Sequence, residues 1–115
     1  MNQIFEEIKL ERQKQHKKWG EQNHPCLDQT LLKRNGSCTS ERMCEHFEIP
    51  SENRGKYLCD NSFKKGEGTY AHIAIEELSE AISSFDINNR RTELIQLTAV
   101  CVAWIEKIDR ELHNH

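Results

Sequence analysis

Nowhere does this sequence of 115 residues alternate apolar and polar positions in the two-residue rhythm of a half-buried strand, and it holds no internal repeat and no low-complexity segment. The architecture left is all-α, in a single domain. A glycine-rich loop that could cradle phosphates is missing, as is any Ser-His-Asp arrangement, so no phosphate loop and no serine nucleophile are on offer. The five cysteines, Cys26, Cys38, Cys44, Cys59 and Cys101, are an odd set without a Cys-x-x-Cys pair. They predict reduced thiols and no disulfides.

Long apolar runs are scarce too. The most apolar segment, Leu94 to Ile105, is interrupted only by Gln96 and Thr98 and bracketed by Glu93, Glu106, Lys107 and Asp109. It is far shorter than the ~20 residues a bilayer requires, so its burial is expected against protein. Positive charge is not in excess: the formal net charge of -3 gives no general attraction to polymeric nucleic acid or to anionic membrane. Met1 to Lys18 reads as a charged amphipathic helix with Ile4, Phe5 and Ile8 turned inward, and not as a leader. A cytoplasmic protein is the expectation.

What the chain does contain is helix signals. A first helix is predicted over about residues 2–19, closed by Gly20 and followed by a loop with Asn23-His24-Pro25. Residues 26–68 read like an insertion: Asn35-Gly36-Ser37 signals a turn, Thr39 to Phe47 a short helix, and Pro50 a break. Ser51 is placed to cap a helix through about Lys64 that stops at Gly66-Glu67-Gly68. Thr69 is placed to cap the next, through about Phe85; Asp86 to Asn89 forms the turn, and a final helix reaches about Leu112.

The chemistry gathers in the last two helices. Glu76, Glu77 and Glu80 fall within an arc of about 100° on one helix, where three carboxylates repel unless something positive stands among them. One reading is a divalent cation site. The other is the solvated face of an amphipathic helix whose opposite side carries Ala71, Ala74, Ile75, Leu78, Ala81, Ile82 and Phe85. Ile73 projects from the middle of the acidic arc, which points to a face that is covered. Glu93 and Gln96 stand three residues apart at the entrance of the apolar helix, where a desolvated carboxylate needs a polar or cationic partner. The helix dipole accounts for Glu93 but not for Gln96. Cys101 and Trp104 are read as core of that helix.

This arrangement resembles the MazG-like all-α nucleoside triphosphate pyrophosphohydrolase superfamily, whose signature is two adjacent Glu with a third at +3 and, one helix later, Glu and Asp three apart. Here it reads Glu76, Glu77, Glu80, then Glu93 and Gln96. The opening Glu11-Arg12-Gln13 with Lys18-Trp19-Gly20-Glu21-Gln22-Asn23-His24-Pro25 is similar to that of a bacterial and phage subgroup, as are Ala71-His72-Ile73, Glu93-Leu94-Ile95-Gln96-Leu97 and Ala103-Trp104-Ile105. The matching blocks span residues 6–25 and 69–110. The resemblance implies a helical bundle completed by oligomerisation, at least a homodimer. It also implies Mg²⁺, or Mn²⁺, held by Glu76, Glu77, Glu80 and Glu93, and conversion of a nucleoside triphosphate to monophosphate and pyrophosphate. Gln96 departs from it: a carboxamide stands where catalytic members carry Asp, and it can offer an oxygen to the metal but no charge.

Other residues are weighed around that centre. Trp19 either stacks on a nucleobase, with Gln22, Asn23 or His24 reading its edge, or plugs the core at the end of the first helix. Lys64 and Lys65 either reach phosphate oxygens from a lid or serve the dipole of their helix. His72 is a polar neighbour of the site or a surface histidine. Cys38, Cys44, His46 and Cys59, with Cys26, offer zinc ligands at irregular spacing. Three functions follow: a Mg²⁺-dependent pyrophosphohydrolase, a phage-type protein that sequesters a nucleotide signal without turnover, and a structural helical oligomer that leaves the glutamates idle.

Overall fold

Three helices of the chain begin where a short polar side chain takes up a free backbone N–H. The structure is a computed structural model that describes residues 2–27 and 40–113. Helix α1 is Asn2–Trp19, α2 Ser40–His46, α3 Glu52–Lys64, α4 Tyr70–Ser83 and α5 Ile87–His113, and among the described residues there is no strand. Ser51 accepts from the Arg54 N–H at 3.1 Å, and Thr69 from the His72 N–H at 3.2 Å. These are the N-caps the sequence predicts. Asp86 does the same for α5, accepting from the Asn89 N–H at 3.1 Å. The turn expected over Asp86 to Asn89 is therefore confined to Ser84–Asp86, because the capped helix already includes Asn88 and Asn89. Gly66, at a φ of 74°, reverses the chain after α3. The turn signal at Asn35-Gly36-Ser37, Cys38 and the first residue of the Thr39–Phe47 segment lie outside the described residues.

The chain divides into two compact units. One takes α1 and the end of α5 from Val102; the other spans Leu27–Cys101 and holds α2, α3, α4 and the first half of α5. In the first unit Ile4 and Val102 are buried, whereas Phe5 and Ile8, expected to turn inward, are exposed. One short helical segment, Val102 to His113, is too little to cover a three-residue stripe on α1.

The second unit is built on small side chains. Helices α2, α3 and α4 pack on one another, and their shared interior holds Met43, Cys44, Gly55, Cys59, Ser79, Ala81 and Ser83. A Cβ at Gly55 would stand 3.3 Å from Ser79 Oγ and 3.5 Å from Glu76 Cα, so α3 and α4 touch nearly backbone to backbone. The expected facing of α4 holds only in part: Ala81 is buried and Ala74, Leu78 and Ile82 are half-buried, but Ser79 and Ser83 are buried as well, while Ile75 and Phe85 are exposed. Cys44 Sγ lies 3.1 Å from Ser83 Oγ, and Ser40 Oγ donates to the Ser83 carbonyl at 2.7 Å, which satisfies the polar groups between α2 and α4. Ser79 Oγ is the exception, buried with no hydrogen-bond partner among the described residues.

Helix α5 departs most from expectation. Within the single chain Leu94, Ile95, Cys101, Trp104 and Ile105 are exposed, and Val102 is its buried residue. The core role given to Cys101 and Trp104 is not met, because α2, α3 and α4 complete their interior with one another. No helix among the described residues is long and apolar enough to cross a membrane.

The Gly55 contact predicts a size-dependent response. Gly55→Leu should lower the unfolding free energy by about 2 kcal/mol or more through overpacking. Gly55→Ala should be close to neutral, since a helix-propensity gain of about 1 kcal/mol offsets the tight contact. Ser79→Ala should stabilise by about 1 kcal/mol by removing the unpartnered hydroxyl. Urea unfolding of the three variants measures all of this.

Candidate functional site

The close approach of α3 to α4 divides the glutamates of α4 into two groups. Glu76 lies on the side that meets α3, where the Cys59 thiol hydrogen-bonds it. Glu77 and Glu80 turn toward the start of α5, where Glu93 joins them. Ligand oxygens of Glu77, Glu80 and Glu93 all lie within 4.8 Å of one another, and all three side chains are half-buried. The structure thus brings together three of the four carboxylates predicted as a metal site. The fourth, Glu76, contributes its charge, which acts on Glu77, Glu80 and Cys59.

Crowding three acids in a partly desolvated corner has an electrostatic consequence. Burial pushes the Glu80 carboxyl up, and a hydrogen bond to Glu93 with the charges of Glu77, Glu93 and Glu76 adds to it, to about 8. Burial raises Glu77 too, as do the charges of Glu93 and Glu76, against the opposing effect of a hydrogen bond from Glu80. The pattern is that of one proton held on Glu80 and donated to Glu93 or Glu77. Every charged group that shifts Glu80 is another carboxylate. Among the described residues no positive charge belongs to the groups that shift Glu80, and the three carboxylates are hard oxygen donors, which a divalent ion would supplement with water or ligand oxygens.

Gln96 completes the arrangement in an unforeseen way. In the orientation that satisfies its neighbours, the amide nitrogen donates to Glu93 Oε2 at 3.0 Å and to Glu77 Oε2 at 3.3 Å. The sequence marks Gln96 as a nucleotide-binding residue whose oxygen could also reach a metal; its N–H groups bridge two of the carboxylates, because acceptors surround it.

The other predicted residues fall elsewhere. Lys64 ends α3 and Lys65 is its C-cap, both exposed at the α3–α4 turn. Trp19, Gln22, Asn23 and His24 belong to the first compact unit and are exposed. Trp19 is 57% exposed with Lys18 Nζ 4.7 Å from its ring centre, so it is no core plug. His72 binds Thr69, Nδ1 to Oγ1 at 2.7 Å, as part of the helix cap. Ile73 is half-buried. Among the described residues Cys44, His46 and Cys59 do not form a ligand group: Cys44 faces the serines of α4 and Cys59 faces Glu76. Cys26 is exposed in the first unit.

Sequence reasoning overlooked Cys59 as the neighbour of Glu76. A signal for it existed: Gly55 and Cys59 on one helix, Ser79 and Ser83 on the next, are small residues four apart, the spacing of a close helix contact. Burial first, then the hydrogen bond to Glu76 and the charges of Glu76, Asp60 and Glu77, push the Cys59 thiol up to about 11. No family model matches the chain, and neither a curated protein nor a solved structure does.

Two outcomes are expected. In the absence of divalent ions, Glu80 binds its proton more tightly folded than unfolded. The folded state therefore holds more protons between about pH 4.5 and 8, and stability falls as pH rises through that window. Melting temperatures from pH 5 to 9 in EDTA should show this decline and Glu80→Gln should flatten it; a slope unchanged by the substitution would count against the assignment. Separately, iodoacetamide at pH 8 should modify Cys59 roughly a hundredfold more slowly than the exposed Cys101, read by peptide mass spectrometry.

Proposed function

We propose that this protein is a Mg²⁺-dependent pyrophosphohydrolase of nucleoside triphosphates. The observation that carries the reading is the convergence of Glu77, Glu80 and Glu93 from two helices on one point. It accords with the order of acids that resembles the MazG-like superfamily. An all-oxygen set of partly buried carboxylates suits Mg²⁺ or Mn²⁺ and disfavours softer metals. A cation bound there neutralises phosphate charge and lowers the pKa of a water molecule.

The chain's own groups supply the rest. A carboxylate of the cluster accepts the proton of the attacking water, and Glu80, which gives up its own proton near neutral pH, is suited to that exchange. Attack at the α-phosphorus breaks its bond to the bridging oxygen, so that pyrophosphate leaves with that oxygen and the nucleoside monophosphate remains. Glu76, held by Cys59, adds negative charge that favours cation binding. Lys64 and Lys65 are assigned to phosphate. The ligand class is the nucleotide, and the setting is the cytoplasm.

One observation favours a second reading. Gln96 donates to the carboxylate oxygens that a cation would use, and in doing so partly stabilises the cluster without metal. A protein of phage type that captures a nucleotide signal needs affinity without turnover, and a carboxamide in place of Asp suits that role.

Pyrophosphate release from a panel of nucleoside triphosphates with Mg²⁺ or Mn²⁺ tests both readings. Glu77→Gln and Glu80→Gln should each lower turnover by more than roughly a hundredfold, the upper end of what loss of even an outer-shell metal partner costs. Gln96→Asp should tighten Mg²⁺ binding measured by calorimetry. Absence of turnover on every substrate, with nucleotides still raising the melting temperature, would sink the hydrolase and leave the sequestering protein.

A further inference from the structure

Charge is unevenly spread along this chain. Against a formal net charge of -3 for the whole sequence, residues 9–19 hold five lysines or arginines and one acid, Glu11. All of them stand on α1, where Lys9, Arg12, Gln13, His16 and Lys17 line an open groove of about 590 Å³. Helical rotation gathers these five within an arc of about 140° and sets Glu11 on the other side. Two aromatic residues share the groove's side, since Phe5, Arg12, His16 and Trp19 follow one another at steps of seven, four and three residues. Glu6, three residues before Lys9, is the acid nearest to this face, and from Lys9 to Trp19 the face carries none. Every residue lining the groove is exposed, as are Phe5 and Trp19. Arg12 is held along the helix by donating to Gln15, and its guanidinium has further N–H groups to offer.

We propose that this face of α1 binds single-stranded nucleic acid, with Lys9, Arg12 and Lys17 following its phosphates and with Trp19 and Phe5 stacking on its bases. The cations supply attraction that is blind to sequence, and an aromatic face accepts any base. Lys18 Nζ covers one side of the Trp19 ring at 4.7 Å from its centre, and a base takes the other. Phe5 and Trp19 are about 21 Å apart along the axis, so a strand of several nucleotides joins them. Two other anionic partners fit less well. A helix that lies on a membrane separates its apolar face from its basic one, whereas here Arg12 and His16 stand between Phe5 and Trp19 in one stripe. A duplex presents phosphates but keeps its bases stacked, which leaves both aromatic residues idle. All of these residues belong to one helix of the first compact unit, so the inference rests neither on the acidic cluster nor on the hydrolase reading.

Titration of the full chain into a labelled oligothymidylate of about 12 nucleotides, and into the matching oligouridylate, tests this by fluorescence anisotropy. A Kd of tens of micromolar or tighter is expected at low salt, and the ratio of the two affinities says which sugar the natural strand carries. Trp19→Ala should weaken binding about fivefold or more, and Trp19→Phe should recover most of the loss. Lys9→Gln and Lys17→Gln should each reduce the slope of log affinity against log salt by about 0.7. Helix content by circular dichroism should stay unchanged, because these positions are exposed. The proposal is overturned by failure to bind either oligonucleotide, by equal affinity for a duplex of the same length, or by an affinity that a folded Trp19→Ala variant leaves untouched. Capture by phosphatidylserine vesicles without oligonucleotide binding overturns it in favour of a membrane surface. If Trp19→Ala unfolds the chain, the duplex comparison and the salt slopes of the lysine variants decide.

Discussion

The contact between Gly55 and Ser79 is the constraint from which the site follows. Because a helix backbone occupies the space where side chains would otherwise stand, α3 sits close enough for Cys59 to engage Glu76. Glu76 meets Cys59 there, while Glu77 and Glu80 converge with Glu93. The packing of small residues and the electrostatics of the acids are one problem, solved at one crossing.

The acids are held at a cost, which the protein offsets in two ways. Glu80 keeps a proton near neutral pH, and Gln96 supplies two N–H donors to the most crowded oxygens. Both devices stabilise the cluster by itself, and the cation proposed for it would compete with a proton and an amide together. The difference between glutamine and aspartate at position 96 is therefore more than one unit of charge. It replaces a repulsive neighbour with a donor, and so stabilises the carboxylates themselves.

Helix α5 has two faces. One face presents Glu93 and Gln96 to α4, and the other presents exposed apolar side chains. Its apolar character all round, which taken alone points to a buried core helix, reflects this division. Glu93 and Gln96 meet the acids of α4, while Leu94, Ile95, Trp104 and Ile105 are exposed.

Much of this was legible in the sequence because it depends on local chemistry. Ser51 and Thr69 cap helices by bonding a backbone N–H three residues on, and helix rotation alone puts Glu77 and Glu80 on one side of α4. The all-α fold needed nothing more, whereas the link between Glu93 and the acidic run rested on the resemblance to the MazG-like order of acids. What only the tertiary structure decided is how near the helices come and what faces what across them. Helical periodicity assigns a residue to a face, but which face is inside depends on the partner, and a glycine in the partner helix makes room for Ser79 in the interior while Ile75 is exposed. For the same reason Glu76 left the cluster and Gln96 became a donor to it: both outcomes depend on the neighbouring helix, which no pattern within a single helix specifies.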